Sequence, residues 1–361
     1  MSKKATTMGF NFHALVALCR RTHDELRGRA IRSVDIAMVV RNWLLGWYIV
    51  EYEQTGSDRA QYGSRLVERL AAKLQIKGSS STNLRKFRQF YREYPIQQTL
   101  PVEFDKALST PSNWQTVSVE LLQRFSLSWS HYVTLLSIGN REERCFYEIE
   151  AKAGSWGSRH LERQISSSLY ERLTLSRDKK SIRRLAQKGQ TVEKAADIIK
   201  NPLVLEFLGL EEKPGYSEEE LETAIINKIE LFLLELGKGF LFESRQKRFT
   251  FDNDHFYVDL VFYNRLLRCY VLIDLKRDKL THQDLGQMQM YVNYFDRHVK
   301  TKDELPTIGM VLCHRKNDAL VELTLPKEAN IFASKYQLYL PSKEVLKAQL
   351  EKIEAELGGE R

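Results

Sequence analysis

Two runs rich in β-branched and aromatic residues, His255 to Tyr263 and Arg268 to Lys276, are separated only by Asn264-Arg265-Leu266-Leu267. Such runs suit a pleated, half-buried surface, and so short a link turns the chain back on itself, so the spacing predicts an antiparallel hairpin. Upstream, Ser217 is placed to cap a helix from Glu218 to Leu236, with Glu218, Glu219 and Glu220 in its positive first turn and Gly237 as its stop. Downstream, Thr281 to Phe295 has helical spacing through Leu285, Met288, Tyr291, Val292 and Phe295, and Thr307 to Cys313 reads as a buried strand. Counting the strand before the hairpin, which carries Arg245 and Gln246, the order is helix, three strands, helix, strand.

The hairpin carries acids where core residues are expected. Asp259 lies in the first run and Asp274-Leu275-Lys276 in the second. Alternation along a strand sets Asp274 and Lys276 on one face and Leu275 on the other. An aspartate between Ile273 and Leu275 is costly to bury without a cation or donors. Lys276 alone could answer it, as an ion pair at a strand end. Glu235 follows Leu231 and Phe232 by four and three residues, on or beside an apolar stripe, where a glutamate reaching solvent is the plain reading.

Together, Glu235 on the first helix, Asp259 and Asp274-x-Lys276 on central strands and Gln289 on the next helix resemble the PD-(D/E)xK nuclease superfamily. Longer stretches, among them Leu127-Ser-Trp-Ser-His-Tyr132, Leu205-Glu-Phe-Leu-Gly-Leu210, Phe232-Leu-Leu-Glu-Leu-Gly237 and Gly286-Gln-Met-Gln-Met-Tyr291, resemble the bacterial YhcG-like nucleases, in which a helical N-terminal domain precedes the nuclease domain. Val258 stands where the superfamily's name has proline, and the middle acid is Asp274 instead of glutamate; the superfamily tolerates both.

The resemblance implies a metal-dependent nuclease. Asp259, Asp274 and the Leu275 carbonyl would hold Mg²⁺ or Mn²⁺, and Lys276 would stabilise the phosphate charge or position the attacking water. Glu235 would support the metal through water or a second ion, and Gln289 would hydrogen-bond Lys276 or the water, with Gln287 as its competitor. Such chemistry suits a hard ion that keeps several waters and takes one or two carboxylates. Arg245 and Gln246 would reach a phosphate, or simply share an exposed strand face with Lys247 and Arg248. The other class of function open to this chain is a non-catalytic nucleic-acid-binding or assembly protein that keeps the nuclease fold.

At 361 residues the chain can hold two domains, each with a sizeable core. Its net charge of +8 conceals an asymmetry: residues 1–200 hold 33 Lys and Arg against 20 Asp and Glu, and residues 201–361 hold 22 against 27. The basic half is the candidate nucleic-acid surface, with DNA favoured over RNA. Cys19, Cys145, Cys269 and Cys313 form no Cys-x-x-Cys, which argues against a zinc site or disulfide framework. No stretch has signal-peptide or membrane-spanning character, so a cytoplasmic protein with no membrane partner is expected. Cutting both strands of a duplex calls for two sites, which suggests a homodimer.

The expected architecture is α+β with two domains. A mostly α-helical, basic domain spans 1–175, a basic linker helix 176–203, and a mixed α/β restriction-endonuclease-like domain 204–361. In the first, 31–52, 62–74 and 82–94 are read as helices, and the break at Lys77-Gly-Ser-Ser-Ser81 gives the last two a helix-turn-helix layout. Arg85, Lys86 and Arg88 would then face nucleic acid. A second set, ending in a helix over 158–173, offers Arg159 and Arg163. Trp129, Tyr132, Phe146 and Trp156 read as core, and 343–357 as an amphipathic helix.

Overall fold

The computed structural model describes residues 12–27, 34–55, 65–95, 124–175, 179–210, 216–326, 329–340, 342–346 and 348, so the expected helix over 343–357 lies largely outside the described residues. The chain divides into two compact units, residues 1–162 and 163–361.

The first unit is helical among its described residues: α1 (Phe12–Arg27), α2 (Val34–Thr55), α3 (Leu66–Leu74), α4 (Ser81–Glu93), α5 (Trp129–Leu135), α6 (Arg141–Ala153) and the start of α7 (Ser158–Ser166). Val39, Trp43, Leu44, Trp47, Tyr48 and Tyr52 are all buried, so α2 is the central helix, apolar almost all round. Gly46 permits this, because a Cβ there would lie 2.0 Å from the Phe87 carbonyl of α4. The helices α3 and α4 are joined by Gln75–Ser80, and Ser80 Oγ caps α4 by accepting from Asn83 N at 3.3 Å. Tyr132 and Phe146 are fully buried, and Trp129 packs edge-on against Phe87 and Phe90, as their core reading requires. The expected helix over 158–173 is broken: Ser168 adopts a left-handed φ of 52°, and α8 (Leu169–Thr174) starts afresh.

In the second unit, α9 (Lys179–Lys188) leads to β1 (Leu203–Val204), α10 (Glu218–Asn227), α11 (Ile229–Leu236), β2 (Phe240–Phe251), β3 (Asp254–Asn264), β4 (Cys269–Lys279), α12 (His282–His298), β5 (Ile308–Arg315), α13 (Asp318–Thr324) and β6 (Ile331–Gln337). The six strands are ordered β1-β6-β5-β4-β3-β2. The pairs β1/β6, β6/β5 and β5/β4 are parallel, and β4/β3 and β3/β2 antiparallel. The predicted hairpin is therefore present as β3 and β4.

Two apolar layers clamp this sheet. Leu221, Ile225, Phe232 and Leu236 of α10 and α11 pack with Leu260, Phe262, Val271, Ile273 and Leu275 on one face. On the other, Leu285, Met288, Tyr291, Val292 and Phe295 of α12 pack with Val258, Val261, Leu272 and Val311. The single helix expected over 218–236 is two helices, because the chain departs from helical geometry at Lys228 (φ −125°, ψ 34°). Among the described residues no helix is long and apolar enough to cross a membrane.

Candidate functional site

Pairing between β3 and β4 ends at Leu260 opposite Ile273. One step further the register would set Asp259 against Asp274. There the strands part: β3 continues with β2 alone to the Asp252-Asn253 turn, and β4 continues beside β5 past Lys276. A fork leaves backbone donors without a strand partner, and buried donors need one. Asp259 Oδ2 meets this need by accepting from Leu275 N at 2.8 Å.

The strand is distorted at the same place. Val258 packs in the α12 layer and Leu260 in the α10–α11 layer, although residues two apart on a regular strand share a face. Across from Asp259, between the pairs Arg245–Leu260 and Lys247–Val258, stands Gln246 with a φ of 47°. A left-handed backbone is uncommon outside glycine, and this one turns the glutamine amide into the fork. Gln246 Nε2 donates to Asp259 Oδ1 at 3.1 Å and also to Glu222 Oε2 on α10. Arg245 Nε lies 3.2 Å from Glu222 Oε1.

On β4, Asp274 is buried and its Oδ2 lies 2.9 Å from Lys276 Nζ. Lys276 Nζ is also 3.8 Å from Glu218 Oε2 at the start of α10, and Arg277 N–H donates to Glu218 Oε1 at 3.1 Å. Burial, followed by the charge of Asp259, pushes the Asp274 carboxyl up to about 7 against the pull of Lys276. Burial alone would lower the Lys276 ammonium, but Asp274 outweighs it and holds the ammonium above the usual lysine range. Burial and Asp259 also raise the Glu222 carboxyl, with the Gln246 hydrogen bond opposing.

The fork thus brings together Asp259, Asp274, Lys276, Arg245 and Gln246, all singled out in the sequence, and adds Glu218 and Glu222. Four carboxylates face two cations, Lys276 and Arg245. Such a surplus of hard oxygen donors, with one carboxyl resisting ionisation, is a chemical environment that a divalent cation would relieve. Among the described residues no three His, Cys, Asp or Glu side chains are arranged as a ready metal cage. The residues fit an ion held by one or two carboxylates with water and substrate completing its shell.

Glu235 is placed elsewhere. It is fully buried, accepts from Arg172 Nη1 at 2.5 Å and from Val204 N at 3.0 Å, and its own carbonyl accepts from Lys200 Nζ. Burial raises its carboxyl, but Arg172 and Lys200 prevail and hold it below the ordinary glutamate range. Two features explain the difference from expectation. The helix breaks at Lys228, and thirteen residues at 3.6 per turn would in any case set Glu222 and Glu235 far apart around one axis. Arg172 is likewise fully buried and also donates to the Ser167 and Pro202 carbonyls.

On α12, Gln289 donates to Asn293 Oδ1 at 3.3 Å. Its competitor Gln287 donates to the Tyr291 hydroxyl. Tyr291 feels the site: burial raises its hydroxyl, and the Asp274 and Asp259 charges add to that rise. Among the basic candidates, Arg85 pairs with Glu68, Arg88 with Glu53 at 2.7 Å, and Arg163 with Glu206 at 3.1 Å. Lys86 and Arg159 are in no ion pair among the described residues. Glu222 was missed because it stands among acids that read as ordinary complements to a helix N-terminus. Its signal was position, one residue beyond Leu221 at the border of the apolar stripe.

Comparison with known proteins follows the division of the chain. The YhcG PDDEXK nuclease domain matches residues 196–351, and the DUF1016 N-terminal domain matches residues 19–172. "Putative nuclease YhcG" of Escherichia coli (strain K12) is 39% identical over 350 residues, covering 92% of each chain. The chain belongs to the YhcG nuclease family. Its YhcG nuclease domain contains the whole fork, from Glu218 to Tyr291. Among solved structures, a repair endonuclease from Pyrococcus abyssi (16% identity) and the EndoMS-dsDNA2 complex (17% identity) each match 37% of this chain and half of their own, with a TM-score of 0.24.

Proposed function

We propose that the fork is a metal-dependent active site that hydrolyses phosphodiester bonds in nucleic acid, DNA foremost. The observation that carries this reading is the meeting of Asp259, Asp274, Lys276 and Glu222 where β3 parts from β4. Asp259 and Asp274 would hold Mg²⁺ or Mn²⁺, with the Leu275 carbonyl as a further oxygen, and Glu222 takes the supporting place first expected of Glu235. When bound, such an ion polarises a phosphoryl oxygen and lowers the pKa of a coordinated water.

The chain's own residues do the rest. Gln246 fixes the carboxylates of Asp259 and Glu222 relative to one another. Lys276, shared between Asp274 and Glu218, offers a compact ammonium that can turn to the phosphate as negative charge builds there. Gln287 and Tyr291 take the place proposed for Gln289, as the polar pair on α12 that lies in the field of the aspartates. The first unit, with its α3-turn-α4 layout, is proposed to select the nucleic acid. A pair of copies would supply one site for each strand of a duplex.

Supercoiled plasmid incubated with the full chain and Mg²⁺ or Mn²⁺ should be nicked or cut. Asp274→Ala should reduce the rate at least a hundredfold with circular dichroism unchanged. Equal cleavage by that variant, or tight salt-sensitive binding without turnover on single-stranded, duplex and branched DNA, would contradict the proposal and favour the non-catalytic alternative.

A further inference from the structure

Beyond the fork, β2 and β3 run on as a two-stranded arm that closes at Asp252-Asn253, both in left-handed conformation (φ 50° and 66°), as a two-residue hairpin turn requires. The register sorts its side chains. Phe249 and Phe256 pair on the face that meets α12, where Phe249 stacks on Tyr294 at 4.1 Å. The opposite face carries two cross-strand pairs, Arg248 with Tyr257 and Thr250 with His255. All four are exposed, Tyr257 by 45%. They continue the row begun by Gln246 and Asp259, with about 7 Å between successive pairs.

Charge sets this face apart from its surroundings. Arg245 and Lys247 have their own carboxylates, Glu222 and Glu243. Arg248 is in no ion pair among the described residues; its Nη2 lies 2.9 and 3.1 Å from the two ring nitrogens of His255. His255 Nδ1 in turn is 3.0 Å from Thr250 Oγ1. The face therefore presents a guanidinium that no carboxylate neutralises, a hydroxyl, an imidazole and an exposed phenol ring, with no acid in either pair. A guanidinium of this kind binds a phosphate through two parallel hydrogen bonds, and an exposed ring stacks on a base.

We infer that the exposed face of the β2–β3 arm is the track along which one nucleic-acid strand leaves the cleavage site. Arg248 binds the phosphate next to the scissile one, Tyr257 stacks on the adjoining base, and Thr250 with His255 receives the following phosphate. This rests on the reading of the fork as a nuclease site and extends it to the substrate. It selects a strand that is unpaired or flared near the cut, because a base inside an intact duplex cannot stack on Tyr257.

The test uses the full chain and a fluorescently labelled oligonucleotide with a single-stranded tail, in Ca²⁺ to hold back turnover. Arg248→Ala should weaken binding about tenfold and lower the slope of log affinity against log salt by about 0.7 to 0.9, and Arg248→Lys should restore the slope. Tyr257→Ala should weaken binding about tenfold without changing the slope, and should do so for tailed but not blunt duplex substrates. Hydrolysis of the small diester bis(p-nitrophenyl) phosphate, which cannot reach the arm, should be unaltered in both. Wild-type binding and slope in Arg248→Ala would overturn the track while leaving the nuclease reading intact. Arm-dependent binding without any cleavage would uphold the track and overturn that reading, and absence of binding by the wild type would overturn both.

Discussion

Burial and the neighbouring Asp259 both oppose ionisation of Asp274, and Lys276 offsets them only in part. A carboxyl whose folded pKa lies above its unfolded value stabilises the fold most while it is protonated. That contribution is complete below the ordinary value of 3.8 and is lost as pH rises through about 7. Asp274→Asn should therefore be more stable than the wild type above pH 7, by on the order of a few kcal/mol without metal, the gain fading as pH falls toward 4. Thermal melts across that range check it, and a gain that grew as pH fell would contradict it. Divalent ions should restore wild-type stability and leave Asp274→Asn unmoved. Glu235 has the opposite character, since its charge is matched by Arg172 with both side chains fully buried. Glu235→Gln strands the guanidinium and should cost about 3–5 kcal/mol in denaturant unfolding. The folded fraction should still bind metal.

At the scale of elements, the sequence showed the fork's arms more clearly than its floor. The hairpin of β3 and β4, the helix α12 and the buried strand β5 were legible because each has an unbroken period and punctuated ends. The break at Lys228 was not, since the helical spacing of apolar residues runs straight through it and only tertiary packing decides the bend. Gln246 was legible as a polar strand residue, but its left-handed backbone was not, because that follows from where β3 leaves β4 and no local residue announces it. The short strand β1 and the last strand β6 went unread for a similar reason: their parallel partners are remote in sequence. The approach of α12 to the sheet depends on Gly309, where a Cβ would lie 2.6 Å from Met288 Cγ and 2.9 Å from Val292 Cγ2. Gly309→Ala should cost about 1–3 kcal/mol in denaturant unfolding, as overpacking does. It should also slow cleavage by shifting Gln287 and Tyr291. An unchanged melting curve would show that α12 yields without cost.

For the molecule as a whole, the excess of Lys and Arg in residues 1–200 suggested a nucleic-acid surface, yet several of its arginines are engaged within the chain, Arg85 with Glu68, Arg88 and Arg92 with Glu53, and Arg144 with Glu93. Pairs at the surface are weak and exchange readily with phosphate, so charge totals alone do not locate the surface. The fork is the better locator: its four carboxylates come from one helix and two adjacent strands within residues 218–274. Manganese binding, followed by the loss of the free Mn²⁺ electron paramagnetic resonance signal at pH 8, addresses it most directly. Saturable binding is expected of the wild type and of Glu235→Gln, and at least tenfold weaker binding of Asp259→Asn, Asp274→Asn and Glu222→Gln. Undiminished binding by the three fork variants, or its loss only in Glu235→Gln, would contradict it.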